Sequence, residues 1–248
     1  MSAPTLDQRL QTRDRPGGSP VMYQRWSDLL FLHWRWDPAE IQASLPAGLT
    51  VDTHEGDAWM GIVPFWMKGV RPRWLPLVPG LSWFLELNLR TYVYDEHGNP
   101  GVWFYSLDCN QPIATALART LFGLNYVSAR QVGRPPTAEH PAEFHSTRRS
   151  SHGVSHFEWE PAASSAAAPP GSLEFFLTER YLLFSSHRDR LWRGQVWHPP
   201  YALADVNVRQ ADSALWVDQG WPAPNRPPDH AVASPGVSVS IFPLRSIA

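Results

Sequence analysis

The hydrophobic residues of this chain gather in short runs, several of which alternate with polar ones. The clearest is FLELNLRTYV, residues 84–93. On an extended backbone Leu85, Leu87, Leu89 and Val93 fall on one side, and Glu86, Asn88 and Arg90 on the other. The polar side has two readings. It is the solvated face of an antiparallel sheet, or it lines the inside of a small barrel that holds one ligand. Further strands are expected at 26–36, 59–67, 102–107, 125–132, 144–149, 154–159, 181–185, 191–197, 202–209 and 237–242. The turn-forming DEHGNPG at 95–101 predicts a hairpin between the runs on either side.

Helical spacing is confined to a few places. Ile113, Leu117, Leu121 and Leu124 share one helical face, which predicts a helix over 113–124. Asp37, Pro38 and Glu40 form a start signal with a capping box, and Pro46 and Gly48 end that short helix. Ser172 caps another short helix, and a third is expected within 212–219. Many strands, arranged mostly as hairpins, predict a mainly β (α+β) fold: a largely antiparallel sheet or barrel with a few short helices packed outside. Residues 1–20 are polar and read as a flexible N-terminal lead. Residues 21–248 read as a single domain, because no linker composition interrupts them.

Composition narrows the function classes. A formal net charge of −2 carries no electrostatic footprint for nucleic acid. No apolar run approaches a membrane span, so no membrane partner is expected. The single cysteine, Cys109, excludes an intramolecular disulfide and suits a reducing, cytoplasmic setting; with no local partner it reads as an inert thiol. Phosphate loops, dinucleotide fingerprints, nucleophile elbows and CxxC zinc patterns are all missing. His152 and His156 lie four apart in a segment that favours strand or turn, where that spacing does not bring two rings together. They read as surface histidines, and neither a metal nor a cofactor is expected.

Residues 107–130, LDCNQPIATALARTLFGLNYVSAR, run from a strand end through a helix carrying Arg119 to a new strand. This arrangement resembles the acetoacetate decarboxylases. Over most of the chain LLFLHW, LPAGLTVD, AWMGIVPF, ELNLRTYV, GVWFYSLD, LNYVSAR and SLEFFLTERY, in this order, resemble the YqjF-like family, a domain of unknown function grouped with the acetoacetate-decarboxylase-like β-barrels. The resemblance implies that fold. It also implies that Tyr126 and Val127 stand where the decarboxylases carry a lysine pair. Schiff-base chemistry needs an amine whose neighbour keeps it unprotonated, and neither a phenol nor an isopropyl group supplies one. Lys68, the one lysine among 21 basic residues, reads as a solvated loop residue. Glu86 falls near the position of an active-site acid in those relatives, and Arg119 matches a helix arginine.

The candidate site is therefore Glu86 and Tyr126 as acid–base groups, with Asn88, Arg90, Arg119, Arg180 and His33 as further ligand contacts. If Glu86 is buried it needs a cation, with Arg71, Arg119 or Arg180 available. Glu179 and Arg180 end a helix and either hold its last carbonyls or face the cavity mouth. His33 reads as a hydrogen-bonded core histidine or a proton carrier. The leading expectation is a barrel that binds an unknown small molecule without a Schiff-base lysine. The alternatives are a lysine-independent acid–base enzyme acting on a small carboxylate or keto compound, and a structural module that forms a homo-oligomer.

Overall fold

The structure, a computed structural model, describes residues 3–113, 115, 123–187 and 190–247. Among these residues the regular structure is dominated by thirteen strands: β1 (Met22–Trp36), β2 (Leu49–Val51), β3 (Ala58–Pro72), β4 (Phe84–Asp95), β5 (Pro100–Cys109), β6 (Tyr126–Arg134), β7 (Ala142–Arg148), β8 (Val154–Pro161), β9 (Leu182–His187), β10 (Arg190–Trp197), β11 (Val206–Asp212), β12 (His230–Ile241) and β13 (Arg245–Ile247). Among the described residues the helices are short: α1 (Leu6–Gln11), α2 (Pro38–Ser44), α3 (Leu173–Thr178) and α4 (Leu215–Asp218). None is long and apolar enough to cross a membrane. The helix expected at 113–124, with Arg119, lies largely outside the described residues.

Strand pairing closes on itself. β1, β3, β4, β5, β9, β10 and β12 each pair with the next, and β12 returns to β1. β5 is the branch point. Its first residues, Val102 and Trp103, pair with β9 to complete the circuit, and its last, Leu107 to Cys109, pair with β6. From there β6, β7, β8 and β11 extend as an antiparallel side sheet. Both contacts from β5 to β9 and β6 are parallel, while the other strand pairs are antiparallel.

This topology explains why β4 is buried on both faces, with only Arg90 partly exposed. Leu85, Leu87 and Leu89 point outward from the circuit and pack with Leu30, Leu32 and Trp66 against Phe144, Phe157 and Trp159 of the side sheet. Phe84 points the other way, into a second cluster with Leu29, Phe31, Phe65, Val239 and Tyr201. Pro64 sits within β3 where the β1–β3 register shifts, between Ser27 and Leu32. A residue without an N–H is tolerated at such a break. Gly236, at φ 114°, lies across from this irregularity, where a Cβ would meet the Trp26 carbonyl oxygen.

Local signals worked with adjustments. Asp37 caps α2 through Ala39 N–H, but Glu40 does not close the capping box; its carboxylate accepts from the Trp36 indole at 2.7 Å. Ser172 caps α3 as expected, accepting from Phe175 N–H at 3.2 Å. The N-terminal lead is a correction. It carries α1 behind a full Thr5–Gln8 capping box, and Arg9 from that helix grips the buried Asp52 with two bonds of 2.6 and 2.7 Å. A forked, charge-assisted pair of this kind anchors the segment.

Candidate functional site

Alternation puts Glu86, Asn88, Arg90 and Tyr92 on the inner face of β4, and there a cavity of about 350 Å³ opens. Glu86, Arg90, Tyr126 and Arg180 all line it, with Trp26, Phe84 and Tyr201 among its apolar walls. Four of the residues expected at a site therefore converge on one space.

Glu86 is 3% exposed. Its register partner on β5 is Cys109, and Cys109 in turn pairs in parallel with Ser128 of β6. That route brings Tyr126 within reach, and its phenol donates to Glu86 Oε2 at 2.8 Å. Among the described residues no arginine pairs with Glu86: Arg71 and Arg180 do not, and Arg119, the third candidate, lies outside them. The physical reason lies in the carboxyl group's own protonation. Burial raises its pKa to about 7, hydrogen bonds from Tyr126 and Asn88 pull the other way, and the Asp108 charge adds to the rise. A carboxyl group that is half protonated at neutral pH does not require a cation. Burial and then the Glu86 charge push Tyr126 well above the ordinary phenol range, so it remains a donor.

The two cavity arginines differ. Arg180 binds Asp52 through Nη1 at 2.7 Å and donates Nε–H to the Phe176 carbonyl at 2.7 Å, at the end of α3. Both readings of Arg180 thus hold geometrically: it satisfies a helix carbonyl and faces the cavity. Its Nη2 is buried without a partner among the described residues. Burial raises the Asp52 pKa, but Arg180 and Arg9 outweigh this and hold the carboxyl below its usual range. Arg90 has less. Nη2 reaches the Leu177 carbonyl at 3.1 Å and the Tyr92 hydroxyl at 3.3 Å, while Nε is buried with no partner among the described residues. Its guanidinium lies over Phe31 and Tyr92, and it forms no ion pair among the described residues.

Other candidates stand apart. Asn88 is buried beside Glu86, with Oδ1 unpartnered, but does not line the cavity. His33 is fully buried and shares a 3.0 Å bond between Nδ1 atoms with His230; burial, then His230 and Arg90, hold its pKa well below the usual imidazole value. Arg71 sits over Tyr23 outside the cavity. Glu179 accepts from Tyr201 N–H at 3.0 Å and from the Tyr181 hydroxyl. Lys68 sits in β3 rather than in the expected loop and pairs with Asp28 at 3.0 Å; it is not among the lining residues, although its neighbour Met67 is. Cys109 is buried, its thiol pushed up to about 12 by burial. Arg119 lies outside the described residues. The role of Asp52 in orienting Arg180 had no local signal, because its partners are 43 and 128 residues distant.

The fold, a closed strand circuit with a branching side sheet, is similar to that of acetoacetate-decarboxylase-like proteins. An acetoacetate decarboxylase-like enzyme from Sphingomonas wittichii RW1 superposes with a TM-score of 0.62 at 14% identity, covering 93% of this chain and 94% of that one. The enduracididine biosynthesis enzyme MppR, complexed with pyruvate, gives 0.64 at 15% identity over 95% and 93%. An acetoacetate decarboxylase from Legionella pneumophila gives 0.60 at 12% identity over 100% and 98%. The chain belongs to the DUF2071 family of uncharacterized conserved proteins, whose profile matches residues 23–238. It is 35% identical over 204 residues to the uncharacterized protein YqjF of Bacillus subtilis (strain 168), covering 80% of this chain and 83% of that one.

Proposed function

We propose that the strand circuit is a β-barrel whose interior binds a small organic molecule carrying a carboxylate. The observation that carries this reading is Arg90, a buried-edge cation with no acid partner among the described residues, facing a cavity it shares with Arg180. An unpaired guanidinium against apolar walls is costly unless an anion joins it. A volume near 350 Å³ suits a small ligand. MppR is described as a complex with pyruvate, which makes pyruvate a sensible first probe. Titration of pyruvate into the protein, followed by NMR, should give saturable binding that Arg90→Met weakens by roughly tenfold or more. Equal binding to both proteins would remove the reading.

A second reading is acid–base chemistry at the same cavity, favoured by Glu86. A carboxyl group with its pKa near 7, hydrogen-bonded to a phenol, is suited to take up a proton beside a bound keto group and return it. A Schiff base is not part of either reading, since Lys68 lies outside the lining. Glu86→Gln separates the two: binding persists in both, and loss of exchange at the carbon next to the keto group marks catalysis. The exposed Trp74, Leu75 and Leu77 beside the mouth support self-association, which a size measurement in solution tests.

A further inference from the structure

The outer face of the side sheet carries a cluster unrelated to the cavity. Along β7 the residues Ala142, Phe144, Ser146 and Arg148 are buried against the core, so Glu143, His145 and Thr147 face outward. His145 stands directly opposite His156 of β8 in the antiparallel register. The two rings stack with centroids 4.1 Å apart and planes 15° apart. Glu143 Oε1 lies 2.9 Å from His145 Nε2. The ligand atoms of all three residues fall within 4.8 Å of one another. His156 Nε2 is shielded from solvent and has no hydrogen-bond partner among the described residues.

We propose that Glu143, His145 and His156 form a binding site for a divalent first-row transition ion, Zn²⁺ being the natural fit. Two imidazoles and a carboxylate are borderline donors that favour Zn²⁺, Cu²⁺ or Ni²⁺ over Mg²⁺ or Ca²⁺. Metal–donor bonds of about 2.0–2.2 Å put tetrahedral ligands roughly 3.4 Å apart. Reaching that spacing takes a contraction and a rotation of at least one imidazole, since rings stacked 15° apart aim their in-plane lone pairs nearly parallel. His145 and Glu143 have the freedom for it, their side chains being 40% exposed. Arg134 engages the other carboxylate oxygen, Oε2, at 3.4 Å, which leaves Oε1 for the ion. Glu158 and Asp212 stand opposite Glu143 and His156 in the neighbouring registers, Glu158 being paired with Arg209 at 3.3 Å. Three protein ligands leave a coordination position for water, and the bound ion would staple β7 to β8.

The test is titration of the untagged, chelator-treated protein with Zn²⁺ in competition with a chromogenic chelator, repeated with Co²⁺ to read visible absorption from the coordinated ion. One equivalent per chain is expected. H145A and H156A should each weaken binding by more than the roughly 10–100-fold that outer-shell partners alone contribute, and H152A should leave it unchanged. E143Q preserves volume and the stacked rings, so it carries the same test if a histidine variant fails to fold. An ion that binds equally to H145A, H156A and E143Q sits elsewhere and overturns the proposal. So does the lack of any Zn²⁺, Cu²⁺ or Ni²⁺ binding tighter than about 1 mM.

Discussion

Adjacent strands β4 and β5 hold two buried charge clusters on opposite faces, and only one of them is saturated. On the outer side Asp108 is fully buried and takes a fork from Arg148, two bonds of 2.8 Å, with Ser106 bridging the pair. Every part of that arrangement is occupied by protein. On the inner side Glu86 has a phenol and an amide beside it, and Arg90 and Arg180 each keep a buried N–H without a partner among the described residues. The outer cluster has no open direction and reads as architecture. The inner one leaves polar capacity aimed at an open volume, which is the property a binding site needs.

Breaking the outer cluster should have the largest effect on folding. Arg148→Met strands Asp108 in the core and is expected to lower stability by about 3–5 kcal/mol, read from the urea midpoint. Arg90→Met should cost far less than this, because Arg90 has no acid partner to abandon; a comparable loss would erase the distinction between the clusters.

The next effect is in pH. Glu86 has a folded pKa near 7, above its ordinary value of 4.5, so the native state binds the extra proton between those values. The contribution of Glu86 to stability is therefore greatest below about pH 4.5, declines as pH rises through this window, and levels off above about 7. The decline attributable to Glu86 is up to ~3 kcal/mol. Glu86→Gln should lack this component, seen as a difference in slope between the two proteins' stability–pH curves. Parallel curves would mean that Glu86 is not desolvated.

The smallest change is Tyr126→Phe. It removes the hydrogen bond that favours the Glu86 carboxylate, so it should destabilise by about 1 kcal/mol above pH 7 and by less near pH 5. A deficit independent of pH would indicate a packing effect instead.

Much of the fold was legible because strand alternation is local. FLELNLRTYV, the DEHGNPG turn and the Asp37 and Ser172 caps all depend on neighbours within a few residues. What alternation does not encode is what covers each face. β4 has two buried faces because the circuit closes through Val102 and Trp103 against β9, about eighty residues onward. Charge balance asks for an arginine beside a buried Glu86, but Arg71 and Arg180 turn elsewhere, and burial that raises the carboxyl pKa to about 7 lessens the need for a cation. His156 was weighed against His152 along the chain, whereas its neighbour in space is His145 across a hairpin. The anchored N-terminal helix was missed for the same reason: Thr5 and Gln8 form a local signal, but Asp52 is distant.

The central claim is that the polar face of β4 serves a ligand carboxylate. A crystal soaked in pyruvate tests it most directly. The account predicts pyruvate inside the cavity, its carboxylate within hydrogen-bonding distance of Arg90 or Arg180 and its keto group toward Glu86 and Tyr126. A cavity holding only water at saturating pyruvate, with both guanidinium groups unmoved, would contradict it.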